Sequence, residues 1–106
     1  MITSLTKDTI KQEVEDSIKP VVIDVFASWC GPCQQMKPSF EQLAKELGDT
    51  YNFVQLNVDE ARELAIHYGI TSVPTFIFIK NNEVLGKETG YMSKEDLKSK
   101  IKEYLG

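Results

Sequence analysis

Apolar residues fall along this chain in short, well-separated runs, and their spacing changes from one run to the next. Val21–Ala27 (VVIDVFA) is almost continuously apolar and rich in β-branched residues, which predicts a strand buried on both faces. Thr75–Lys80 (TFIFIK) reads the same way. In YNFVQLNVD, Tyr51 and Phe53 alternate with Val54, Leu56 and Val58, so this strand buries its two faces with different residues. Elsewhere the spacing is helical. Met36, Phe40, Leu43, Ala44 and Leu47 trace one face of a helix that starts near Cys30 or Cys33, carries Pro38 as an expected kink, and ends at Gly48 as C-cap. Near the N-terminus a short strand at Ile2–Ser4 precedes a helix capped by Thr6, with Ile10, Val14 and Ile18 inward and Pro20 as its end. Glu60–Tyr68 is a short helix stopped by Gly69. Asn81–Asn82 makes a tight turn between TFIFIK and EVLGKETG, because Asn tolerates positive φ. Ser93 caps a last helix with Leu97, Ile101 and Leu105 inward.

The predicted order is β-α-β-α-β-α-β-β-α. Alternation of strands and helices favours parallel strands joined by crossovers, and the closing hairpin adds antiparallel pairing. The expected fold is therefore α/β: a central mixed five-stranded sheet flanked by four helices, in one domain over residues 1–106.

Composition narrows the function classes. The net charge is −4 and no Lys/Arg block or basic stripe is present, which argues against nucleic acid as a partner. No apolar run reaches the length of a membrane span, and the N-terminal residues lack a basic start followed by an apolar core. The expected location is the cytoplasm, where thiols stay reduced. There a Cys pair points to catalysis or metal binding more than to a structural bridge.

The chain has two cysteines, Cys30 and Cys33, in the stretch SWCGPC directly behind VVIDVFA. A strand running into a helix places them at the strand's carboxyl end, where open α/β sheets build their sites. Cys30 then faces the unpaired N–H groups and positive dipole end of the helix, which favour thiolate over thiol. On this reading Cys30 is the exposed nucleophile and Cys33 the buried resolving thiol. Pro32 brings a fixed φ suited to the first helical turn, and Gly31 keeps bulk away from an approaching disulfide. A free thiol with a pKa of about 8.5 is roughly 3% ionised at pH 7, and lowering the pKa to about 7 ionises about half. Intrinsic nucleophilicity falls by perhaps 4–6-fold in exchange, so attack gains only about 3–4-fold. The larger gains are a better leaving group and a second thiol at high effective concentration.

Plainer readings stand beside this one. A structural bridge would close too small a ring to constrain the unfolded chain much. A zinc half-site needs four ligands, and His67 is the one histidine available, so no metal site is expected. Two inert helical cysteines would leave the flanking Trp29 and Pro32 unexplained. His67 itself, in mid-helix, is expected at the surface. Asp24 is the odd residue of VVIDVF: burial in an apolar strand should raise its pKa, whether it is merely satisfied by a donor or takes part in proton transfer.

WCGPC after VVIDVFAS, with SVPTF downstream, resembles the thioredoxin family over essentially the whole chain. The resemblance implies a protein-disulfide reductase. Cys30 would attack a target disulfide and Cys33 would resolve the mixed disulfide, with Asp24 as proton acceptor for Cys33 through a water. It further implies a cis peptide before Pro74 and a docking rim of Trp29, Gly31, Pro32, Val73, Pro74 and Gly90, which Tyr91 could widen. It implies no bound cofactor and no metal, electrons from NADPH through a flavin-containing thioredoxin reductase, disulfide-containing client proteins, and a monomer. Family members often carry Lys where this chain has Gln34 and Gln55, and a second Trp where it has Phe26. Both glutamines remove positive charge from the site, so Asp24 is expected to ionise less readily here. Two rival readings keep the fold and change the role: a disulfide oxidase or isomerase, or a binding subunit without redox turnover.

Overall fold

A computed structural model describes residues 2–106. Five strands form a single sheet: β1 (Thr3–Ser4), β2 (Val21–Phe26), β3 (Asn52–Asn57), β4 (Thr75–Lys80) and β5 (Glu83–Thr89). Their spatial order is β1-β3-β2-β4-β5. β2 lies at the centre, parallel to β3 and antiparallel to β4, and β1 pairs parallel to β3. β4 thus enters antiparallel even though a helix links it to β3, so alternation of element types did not settle strand direction there. The hairpin turn has φ of 53° at Asn81 and 60° at Asn82, the positive values expected of those residues.

Three α-helices pack on the sheet: α1 (Gly31–Leu47), α2 (Arg62–His67) and α3 (Lys94–Leu105). The fourth helical segment, Lys11–Glu15, is π-type. Strand periodicity divides the core in two. Val21, Ile23, Val25, Val54, Leu56, Ile77 and Ile79 face Val14 of that segment and Ala65 and Tyr68 at α2. Val22, Phe53, Phe76 and Phe78 face Met36, Phe40 and Leu43 of α1 and Leu97, Ile101 and Leu105 of α3. Each large side chain buried this way is worth roughly 1.5–3 kcal/mol. The inward faces predicted for α1 and α3 are those observed.

Two expectations fail in detail. Ile18 is 98% exposed, because the π-type segment ends at Glu15 and Ile18 lies in the bend that leads to Pro20. Gly48 follows α1 in right-handed conformation (φ −64°) and not the left-handed one a glycine cap suggests. Glycine is needed there for space, since a Cβ would sit 2.5 Å from the Ala44 carbonyl oxygen. α1 continues through Pro38 as one element.

Candidate active site

β2 delivers the chain into a short loop, Ala27–Trp29, and α1 starts at once. Cys30 is the N-cap of α1, in extended conformation (φ −88°, ψ 112°), and Pro32 stands in the first turn. The Cys33 backbone N–H donates to Cys30 Sγ at 3.2 Å. An oxygen of Ser, Asp or Asn would normally occupy this capping role; here a sulfur does. A 17-residue helix lies behind it, with its positive dipole end at that sulfur. Charge on Cys30 is therefore favoured by a directed N–H and by the helix together.

The two cysteines are joined as a disulfide, with Cα atoms 5.3 Å apart. Cys30 is 5% exposed and Cys33 4%. Overall exposure thus does not separate an open thiol from a buried one, contrary to the sequence expectation for Cys30, because both pack in one apolar cluster with Ala27, Phe26, Val58 and Val73. What separates them is the N–H, which points at Cys30 alone. Ala27, Cys30 and Cys33 form a small apolar cluster closed by Phe26, Val58 and Val73.

Across this cluster lies the loop before β4. The Val73–Pro74 peptide is cis, and the Val73 carbonyl oxygen is 3.8 Å from Cys30 Sγ. Two hydrogen bonds hold the loop: the Thr75 hydroxyl donates to the Ser72 carbonyl at 2.7 Å, and the Gly90 N–H to the Pro74 carbonyl at 2.9 Å. Gly90 has φ +102°, a left-handed conformation suited to glycine.

Of the expected rim, Trp29, Gly31 and Pro32 are exposed and Val73 and Gly90 are half-buried. Pro74 is buried, so it shapes the loop from beneath and adds no exposed face of its own. Trp29 is 73% exposed and is not a core residue. Its indole N–H donates to Asp59 Oδ2 at 3.0 Å. Tyr91, next to Gly90, is also exposed. His67 lies exposed on α2 with its ring against Tyr68, as a surface residue.

Asp24 sits in mid-β2 on the face shared with Val22 and Phe26, the face α1 covers. It is 6% exposed, and its Oδ1 has no hydrogen-bond partner among the described residues. Burial raises its pKa from 3.8 to about 7. Gln55 is its register neighbour on β3, as the sequence comparison with lysine-bearing relatives anticipates. The Gln55 amide donates to Ser4 Oγ at 3.0 Å, toward the sheet edge.

Sequence reasoning missed Thr75, Ser28, Asn57 and Asp59. The alternation in YNFVQLNVD makes Asn57 and Asp59 the tail of a strand. Their signal was available: two turn-forming polar residues at the carboxyl end of a strand parallel to β2, level with WCGPC. Among the described residues no cluster of His, Cys, Asp and Glu could hold a metal ion, and no helix is long and apolar enough to cross a membrane.

The chain is similar in sequence to known proteins. The sequence model of the family described as Thioredoxin matches residues 1–103. A thioredoxin of Chlorobaculum thiosulfatiphilum is 40% identical over 101 residues, covering 95% of this chain and 94% of the relative. One from Bacillus subtilis is 35% identical over 104 residues, 98% of each. Thioredoxin H4 of Arabidopsis thaliana is 42% identical over 94 residues, covering 89% of this chain and 78% of the relative. A family model over residues 1–103 and relatives matched over most of their length, together with a disulfide-forming cysteine pair at the head of a helix behind a central strand, place the chain in the thioredoxin family, whose members are oxidoreductases acting by dithiol–disulfide exchange without a cofactor of their own.

Proposed function

We propose that the exchange is carried by Cys30 as nucleophile, Cys33 as resolving thiol and Asp24 as proton acceptor. The observation that carries this reading is the Cys33 N–H directed at Cys30 Sγ at the head of α1. In the reduced protein the Cys30 thiolate attacks one sulfur of a client disulfide. A Cys30–client bond forms, and the client's other sulfur leaves as a thiolate that takes up a proton. Cys33 then gives up its proton to Asp24 and attacks Cys30 Sγ; the client's remaining sulfur departs as a thiolate and takes up a proton, the second proton overall being drawn from solvent. The client gains two electrons and two protons, and Cys30–Cys33 is left oxidised. The second step needs a base for the Cys33 proton. Asp24 suits that role because a buried carboxyl with a pKa of about 7 can take and return a proton near neutrality.

An extended client segment would lie over Trp29, Gly31 and Pro32, and pair with the Val73 backbone beside Cys30, with Gly90 leaving room. A Cβ added at Gly31 or Gly90 would meet nothing within 4 Å, so both positions leave open space for a client chain. Electrons would come from NADPH through a flavin-containing thioredoxin reductase docking on the same rim. The protein would act as a monomeric single domain in the cytoplasm.

The test is turnover with NADPH, a thioredoxin reductase and insulin as disulfide substrate, together with single-cysteine variants. Cys33→Ser is expected to accumulate a mixed disulfide with insulin, and Cys30→Ser to form none. Trapping by Cys30→Ser would reverse the assignment. Absence of turnover by the unaltered protein would favour a binding role for the fold.

A further inference from the structure

Trp29 is too exposed for packing to fix its ring, so hydrogen bonding decides which way the indole faces. That bond ends on Asp59, itself an exposed loop residue. What holds Asp59 is Asn57, the last residue of β3. Asn57 Oδ1 accepts from the Asp59 backbone N–H at 2.9 Å and from the Glu60 N–H at 3.4 Å, bending the chain into a turn directly after the strand. On its other side, Asn57 Nδ2 donates to Ser28 Oγ at 3.4 Å, and Ser28 is the residue before Trp29. The contacts close a ring: Trp29 to Asp59, Asp59 to Asn57, Asn57 to Ser28, and Ser28 to Trp29 through the backbone. Beneath it, the Val58 N–H donates to the Phe26 carbonyl at 2.9 Å, joining the same two loops at the end of the sheet.

We propose that Asn57 is a positioning residue: by bridging Ser28 and the backbone of Asp59 and Glu60, it fixes the acceptor that holds the Trp29 indole at the client-docking rim. The inference rests on the docking reading of Trp29 given above. Asn57 touches neither cysteine, so its influence belongs in client binding and not in the chemistry of sulfur. An indole freed from the tether must be ordered again when a client docks. The expected effect is the loss of about one hydrogen bond's net worth, or about 5-fold in the saturation constant.

Three readouts test this on the full-length reduced protein. In single-turnover reduction of insulin, quenched by alkylation, Asn57→Ala is expected to raise the saturation constant about 5-fold and leave the limiting rate within about 2-fold. In time-resolved anisotropy, Trp29 is the sole tryptophan. It is expected to tumble with the whole protein, and in Asn57→Ala to gain a fast local component. In a Trp29→Ala background, Asn57→Ala is expected to add nothing to the saturation constant. Asp59→Ala removes the last link at an exposed position and is expected to repeat the phenotype without disturbing β3. Asp59→Asn keeps an oxygen acceptor and is expected to restore the slow indole. A rigid indole in Asn57→Ala, or additive effects of Asn57→Ala and Trp29→Ala, would overturn the proposal. An unchanged saturation constant in Trp29→Ala alone would instead remove the docking role of Trp29, and the anisotropy of Asn57→Ala would still decide whether Asn57 holds the ring.

Discussion

Two aspartates flank the cysteine loop in opposite surroundings. Asp24 lies under α1 in the central strand, nearly free of solvent, with one oxygen unpartnered among the described residues and its pKa raised to about 7 by burial. Asp59 lies at the surface and accepts a hydrogen bond from the Trp29 indole. One carboxyl is placed where its proton is easily exchanged near neutrality; the other is placed where its oxygen orients a neighbour. The residue type is the same, and location in the fold decides the chemistry. The central strand buries its carboxyl, whereas the loops above it carry the exposed Trp29 and Asp59 of the proposed docking rim.

The largest effect expected on either side comes from the sulfur between them. Cys30→Ser is expected to lower insulin reduction by more than about 10³-fold, because no other group replaces the nucleophile. Next is Asp24→Asn, whose consequence for stability has a definite sign. Asp24's folded-state pKa lies above the value of 3.8 for an exposed Asp. The folded protein therefore binds more protons than the unfolded chain between about pH 4 and pH 7. Its contribution is most favourable below that window and is lost as pH rises through about 7. Asp24→Asn is expected to stabilise the protein by about 4 kcal/mol at pH 8 and by no more than about 0.5 kcal/mol at pH 4, as read by urea unfolding. The same variant is expected to slow resolution of a mixed disulfide at pH 7 by about 10²-fold. A stabilised variant with unimpaired resolution would leave Asp24 as a merely buried residue.

A smaller effect sharpens the contrast between buried and exposed carboxyls. Gln55 faces Asp24 across β2 and β3, so Gln55→Lys brings a positive charge near the dry carboxyl. An NMR titration is expected to show the Asp24 midpoint falling by about 1 pH unit. An unchanged midpoint would reject the expectation that Gln55, in place of a lysine, makes Asp24 harder to ionise. The smallest effect is expected at Gly31. A Cβ there meets nothing within 4 Å, so Gly31→Ala is expected to change stability by no more than about 0.5 kcal/mol. Any slowing of insulin reduction in that variant would then report contact with the client.

Much of this was legible before any coordinates. Val21–Phe26 and Thr75–Lys80 announce buried strands because both of their faces are apolar, and those strands are the centre of the sheet. The Cys pair announces its position because a strand leads straight into a helix with Pro in its first turn. The segment around Ile18 misleads because helical spacing is a local signal, and the helical segment ends at Glu15 before Ile18 can continue its buried face. Strand direction at β4 was hidden because it depends on how a loop crosses the sheet, which no residue pattern records. The Asn57–Asp59 tether was hidden for a related reason: its partners, Ser28 and Trp29, are about thirty residues away in sequence and meet only through the parallel pairing of β2 and β3.

The most direct measurement is the pH dependence of alkylation of the two thiols in the reduced protein, with the modified sulfur located by mass spectrometry. Cys30 is expected to react first, with a midpoint near pH 7, and Cys33 to lag until the solution is distinctly alkaline. Faster modification of Cys33, or a common midpoint near the value of about 8.5 for a free thiol, would contradict the account.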